Sequence, residues 1–268
     1  MKDVSFGSYY PAQSFVHKID ARVKILMTIA FIVAVFLVKS YHFLGFAACL
    51  VYTIIVILFS KVPFMKVLKS IKGIIFFVIF SAVLQIFFNK NGNVLWWVIT
   101  DQGLINAGFI TCRIVLMVLG SSLLTFTTTP VQIADGLESL LSPLRLIKFP
   151  VHEFALIMSI ALRFIPTLLN ETDRIIKAQK ARGADFESGN LLKRVKALVP
   201  VLIPLLISSF RRADELADAM DARCYSGSKK RTKYKKTCIT YRDFIATILT
   251  AGLIVGVIFL NGVLGVLV

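Results

Sequence analysis

A chain of 268 residues with 57% hydrophobic content and a mean hydropathy of +0.78 is too apolar to be a soluble globular domain, and its apolar residues come in long uninterrupted runs. It reads as an all-α integral membrane protein, in which the formal charge of +16 takes its meaning from position along the chain rather than from its total. Cys49 and Cys112 lie in apolar runs and Cys224 and Cys238 in a basic region, without metal-ligand spacing, so neither a disulfide scaffold nor a cysteine-bound metal is indicated.

The first apolar run, Ile25 to Val38, follows a polar leader carrying Lys18, Arg22 and Lys24, and it ends at Lys39 without a small-residue cleavage pattern, so no cleaved signal peptide is expected. Further runs are Phe43 to Phe59, Ile74 to Phe88, Leu104 to Phe126 and Phe244 to about Leu260. The first and third fall short of the roughly 20 residues that a hydrocarbon core asks for, and lysines at their edges extend them by snorkelling. Five spans with the N-terminus inside place the loops Lys39 to His42 and Asn89 to Gln102 outside. Of the 31 Lys and Arg, only Lys39 and Lys90 occupy those loops and Arg113 a span; the rest collect on the other side. That asymmetry predicts a multi-pass membrane protein with a cytoplasmic N-terminus. Arg113 sits near the middle of the fourth span with no Asp or Glu in any span to pair it, so it is expected to bond backbone carbonyls or face a partner subunit. Gly252 and Gly256 form a GxxxG spacing capable of close helix packing, although glycine is common in membrane helices.

Two other apolar stretches, Phe154 to Leu169 and Leu198 to Phe210, resemble spans by hydropathy alone. If both crossed, the segment between them, with Arg174, Lys177, Lys180, Arg182, Lys193 and Arg194, would be exported as a densely basic loop, against the positive-inside rule. Glu153 and Arg163 interrupt the first, Pro200 and Pro204 the second. The expected organisation is therefore membrane helices over 1–126, a cytoplasm-facing helical domain over 127–242, and a last membrane helix over 243–268. Within the middle domain Thr129-Pro130 opens a helix running to Ser142-Pro143. Two long amphipathic helices follow, Val151 to Gly183 and Leu191 to Arg223, joined by a linker over 184–190. Each begins apolar and ends charged.

Each also ends on the same motif. Ala178-Gln-Lys-Ala181-Arg182-Gly183 returns 41 residues later as Ala219-Met-Asp-Ala222-Arg223-Cys224. One copy has an ordinary explanation, an Arg complementing the helix dipole and a Gly supplying a left-handed cap. Two aligned copies, with Ile175 on Leu216 and Ala178 on Ala219, read as two docking tips: small residues let another surface approach, and guanidinium offers a planar fork for carboxylates or carbonyls.

At these residues the chain resembles the transmembrane T component of energy-coupling factor transporters. Four stretches carry the resemblance: His17-Lys-Ile-Asp-Ala-Arg-Val-Lys24; Thr128-Thr-Pro-Val-Gln-Ile-Ala-Asp-Gly-Leu-Glu138; Ala161-Leu-Arg-Phe-Ile-Pro166 leading to Ala181-Arg182-Gly183; and Arg211-Arg-Ala-Asp-Glu-Leu-Ala217 leading to Ala222-Arg223-Cys224. Cys224 stands where the family commonly has Gly. The resemblance implies a non-enzymatic scaffold joining two ABC ATPases to one small membrane subunit that captures a vitamin or similar micronutrient. In that family the two X-Arg-X motifs end crossed coupling helices and dock on the ATPases, which assigns docking to Ala181, Arg182, Gly183, Ala222, Arg223 and Cys224. ATP and Mg belong to the ATPases, and no cofactor or metal is expected on this chain.

The basic run Lys229 to Lys236 is juxtamembrane, so anionic headgroups rather than nucleic acid are its expected neighbours. Arg211 is spaced to pair with Glu215 on one helix face. His17, His42 and His152 form no ligand pair, and no Gly-x-Ser-x-Gly, His-Glu-x-x-His or Walker-type loop occurs. A self-contained secondary transporter, the rival reading, calls for internal repeats and ionisable groups at the bilayer midplane, which acid-free spans and dissimilar halves do not offer. A membrane-embedded enzyme calls for converging catalytic groups, and none is found.

Overall fold

Inside hydrocarbon a backbone amide has no water to bond, so apolar runs of this length are driven to satisfy themselves as helices. The computed structural model describes residues 9–39, 43–88, 94–96, 99–143, 150–186, 190–225 and 240–264. Its helices are α1 (Ala21–Leu37), α2 (Phe43–Ser60), α3 (Phe64–Lys72), α4 (Ile75–Phe88), α5 (Asp101–Thr127), α6 (Pro130–Leu140), α7 (Val151–Ala181), α8 (Leu191–Ala222) and α9 (Tyr241–Leu264). Before α5 stands a small antiparallel pair, β1 (Val94–Trp96) with β2 (Ile99–Thr100). Among the described residues this membrane protein is all-helical apart from that hairpin. Among the described residues, α2, α5, α9 and Glu153–Ala181 of α7 are long and apolar enough to cross a bilayer, and α3 with α4, bent by 59°, makes a fifth candidate. Residues 40–42, 89–93 and 187–189, the basic run Lys229 to Lys236, and Cys238 lie outside the described residues.

The described residues fall into two compact units: 9–155 with 240–264, and 156–225. In the larger, α1 is the central element and packs against α2, α5, α6 and α9. Its inward residues Phe31, Val35 and Val38 join Phe46, Cys49, Tyr52, Leu116 and Val257 in one buried cluster. Phe31 stacks on Tyr52 with ring centroids 5.5 Å apart. Gly120 of α5 makes this approach possible, since a Cβ there would fall 2.5 Å from the Phe31 ring. By contrast, nothing lies within 4 Å of where a Cβ would stand on Gly252 or Gly256, so among the described residues the GxxxG spacing packs no helix closely.

With 17 residues, α1 is about 26 Å long, shorter than the hydrocarbon core, and its last carbonyls cannot be left bare. The Leu37 carbonyl accepts from Asn261 Nδ2 of α9 at 2.7 Å, and the Val38 carbonyl accepts from Arg113 Nη2 of α5. The guanidinium also lies over the Phe46 ring, 5.6 Å from its centroid. Arg113 thus bonds a backbone carbonyl, one of the two roles its sequence position allows. Replacing both donors, Arg113→Met with Asn261→Leu, is expected to cost about 1–3 kcal/mol and to lower the melting temperature in detergent by several degrees. An unchanged melting temperature would show that the carbonyls are satisfied otherwise.

The opposite end of α1 is tied by buried charge. Lys24 Nζ donates to the carbonyls of Thr127 (3.0 Å) and His17 (3.3 Å) and to Thr128 Oγ1 (3.3 Å), fastening α1 to the end of α5. Asp243 accepts from the backbone N–H of Asp20 at 2.8 Å and of Thr240 at 2.6 Å, fastening the starts of α1 and α9 together. His17 Nε2 donates to the Tyr10 carbonyl at 2.9 Å, which leaves Nδ1 to accept from the Ser14 hydroxyl at 2.7 Å. Burial lowers the His17 pKa, in keeping with that neutral tautomer. Thr129 caps α6 and Pro130 stands in its first turn, as the Thr-Pro spelling predicts, and Gln132 completes a capping box.

The smaller unit consists of α7 from Leu156 onward and α8. Its only buried residue among those described is Val201. Both helices run through their prolines, Pro166 in α7 and Pro200 and Pro204 in α8. Large apolar side chains stay exposed along both, among them Ile157, Leu169, Leu202, Ile203, Leu206 and Phe210. An exposed apolar surface of this extent marks contact with lipid or another protein.

Candidate functional site: two capped tips and the ion pair between the arms

Both copies of the repeated motif end their helix in the same way. After α7, the Ala184 N–H donates to the Gln179 carbonyl at 3.0 Å and the Gly183 N–H to the Lys180 carbonyl at 3.0 Å, with Gly183 at φ +87°. After α8, the Tyr225 N–H donates to the Met220 carbonyl at 3.0 Å and the Cys224 N–H to the Asp221 carbonyl at 2.9 Å, with Cys224 at φ +57°. These are two Schellman-type caps in register with the sequence repeat. Each fixes the backbone beside its Arg, and Ala181, Arg182, Gly183, Ala222, Arg223 and Cys224 are all exposed. Among the described residues neither guanidinium has a hydrogen-bond or ion-pair partner, so both forks are free to meet another surface.

A side chain in the left-handed region carries a penalty of about 1 kcal/mol that glycine does not. Cys224→Gly is therefore expected to firm the second cap by about that amount, seen as slower hydrogen exchange at the Tyr225 amide. Gly183→Ala is expected to do the reverse at Ala184. Unchanged exchange in both variants would mean that the caps do not limit opening of these tips.

The two arms meet through charge. Glu171 Oε2 of α7 accepts from Arg212 Nη2 of α8 at 2.7 Å, and Glu171 Oε1 accepts from the Ser208 hydroxyl at 2.6 Å. The Ser208 hydroxyl, assisted by Arg212, outweighs desolvation and lowers the Glu171 pKa, so the carboxylate stays charged at neutral pH. Glu171 and Arg212 are themselves 41 residues apart, the spacing of the repeated tips. The arms therefore touch at equivalent positions, each 11 residues or about 16 Å of helix before its Arg. On one side of this junction lies a cleft of about 370 Å³, lined by Ile160, Phe164 and Leu168 on α7, by Leu216 and Met220 on α8, and by Tyr225 just beyond it. That cleft brings the first half of α7 against the last turns of α8. Spacing along one helix suggests an Arg211–Glu215 pair; those two residues form no ion pair among the described residues, and the neighbouring Arg212 reaches across to the other arm instead.

A family profile described as "CbiQ: Cobalt transport protein" matches residues 12–234. A Clostridium kluyveri protein named energy-coupling factor transporter transmembrane protein EcfT is 51% identical over 253 residues, covering 92% of this chain and 93% of its own length. This chain belongs to that family of energy-coupling factor transmembrane components. EcfT proteins of Ruminiclostridium cellulolyticum (47% over 265 residues, 97% of this chain and 98% of the relative) and Bacillus subtilis (46% over 250 residues, 91% and 92%) extend the similarity over nearly the whole length. The stretches that carry the family resemblance have structural work in this energy-coupling factor component. His17 to Lys24 forms the tie beneath α1, and Thr128 to Glu138 opens α6 with its capping box. Phe164, in the third stretch, lines the cleft, and Arg212, in the fourth, joins the arms.

Proposed function

We propose that this transmembrane component couples two ABC ATPases to a small substrate-binding membrane subunit, with Arg182 and Arg223 as the docking points. The observation that carries the reading is the pair of equivalent, capped, exposed Arg tips, each the same distance from one ion-paired junction. Two equivalent tips on two separate arms match a partner that is itself two similar subunits. ATP and Mg act on those ATPases; this chain is the scaffold and lever. When the ATPases close, arms hinged at Glu171–Arg212 shift together, and their exposed apolar faces pass the motion to the substrate-binding subunit. The cargo is a vitamin or similar micronutrient, chosen by that subunit.

In this reading 127–242 is the coupling domain on the cytoplasmic side of the bacterial cell membrane, set between the membrane helices of 1–126 and 243–268. The positive-inside argument supports keeping α7 and α8 on that side despite the apolar length of α7. Purifying the tagged chain from native membranes tests the proposal. Two ATPase subunits, identical or different, and one small membrane protein are expected to elute per chain, whereas transport by the isolated chain in liposomes would overturn it.

A further inference from the structure

We propose that α3 is an in-plane membrane anchor whose lysines bind the headgroups of anionic phospholipids. The helix is short, 9 residues, and bends by 59° into α4, so it does not continue that helix's path through the bilayer. Phe64, Leu68 and Ile71 recur at helical spacing along one side, and Phe64, Met65 and Leu68 remain 57%, 68% and 40% exposed. Val67 alone is fully buried; it packs with Leu123 and Phe126 of α5 and fixes which way the helix is turned. The remaining side carries Lys66, Lys69 and Lys72, all exposed, and Lys61 stands just ahead of the helix.

No Asp or Glu occurs between Asp20 and Asp101, so nothing nearby in the chain neutralises these four lysines. Lys66 rests over the Tyr10 ring, 4.3 Å from its centroid, while Lys61, Lys69 and Lys72 have no partner among the described residues. An exposed apolar strip beside an unneutralised basic one, immediately next to a span, is the arrangement that lies at an acyl–headgroup boundary. A cluster of four lysines in that place selects anionic headgroups, each lysine contributing roughly a fivefold factor in affinity.

Native mass spectrometry of the full chain in detergent with equal phosphatidylglycerol and phosphatidylcholine reads the charge selectivity. The wild type is expected to hold phosphatidylglycerol in preference. Lys61→Gln, Lys69→Gln, Lys72→Gln is expected to lose roughly fivefold of that preference per lysine, measured in a background where Lys229, Lys230, Arg231, Lys233, Lys235 and Lys236 are already Gln. Retention of the full preference would overturn the proposal. A second readout uses nitroxides at Leu68→Cys and at Lys69→Cys, in a chain whose native cysteines are replaced, reconstituted in phosphatidylglycerol vesicles. Oxygen should relax the first strongly and a water-soluble nickel chelate the second. Equal and high nickel accessibility at both sites would place α3 off the membrane, as docking of an acidic protein surface requires, and would also overturn it.

Discussion

Reversing the charge at both arm tips, Arg182→Glu with Arg223→Glu, is expected to strip the ATPases from the purified complex and abolish uptake in membrane vesicles. A guanidinium that becomes covered on docking makes charge-assisted bonds worth about 1.5–3 kcal/mol each, so each single reversal is expected to weaken ATPase binding by roughly 10- to 100-fold. The two losses add in free energy if the tips grip separate subunits, making the double variant far worse than either single one. Arg→Lys keeps the charge but loses the planar fork, and intermediate binding is the expected result. Because both tips are exposed, these substitutions leave the packing of α7 and α8 intact, so the melting temperature of the isolated chain should not move. Normal assembly and uptake in the double variant would refute docking through these residues.

Much of the fold is legible in the sequence because hydrocarbon leaves the backbone few choices. The apolar runs at 25–38, 43–59, 74–88, 104–126 and 244–260 fall in helices to within one residue, and Thr129-Pro130 starts one where its chemistry says it should. The shortness of α1 is visible too, but the groups that make it tolerable are not. Arg113 and Asn261 come from helices 75 and 224 residues away from the carbonyls they serve, a proximity only packing creates. The α3 helix escapes a reading by apolar runs because its lysines interrupt any window long enough to register. The arm tips are readable from their repetition, whereas the junction between the arms is not, since pairing charges along a single helix points to Arg211 and Glu215. A signal was nevertheless present. Superposing the two motif copies at their 41-residue offset brings Glu171 onto Arg212, opposite charges at equivalent positions of two similar arms.

Glu171→Arg is expected to separate docking from transport. It sets two cations against each other where the arms meet and removes the acceptor of Ser208. The site is partly exposed, with side-chain exposures of 35% for Arg212 and 23% for Glu171, so solvent screening trims the loss to about 1–2 kcal/mol. That shifts the joined arrangement of the arms by roughly 5- to 30-fold. The tips are unchanged, so the ATPases should still co-purify and hydrolyse ATP, while uptake per ATP consumed falls by about that factor. The exchange Glu171→Arg with Arg212→Glu restores the pairing of opposite charges and is expected to recover much of the uptake, an outcome that a simple folding defect at either position would not produce. If the single reversal carries substrate at the wild-type ratio to ATP, the arms do not transmit motion through this junction. If it loses the ATPases as well, the junction serves assembly rather than force transfer, and a hinge at Glu171–Arg212 is excluded.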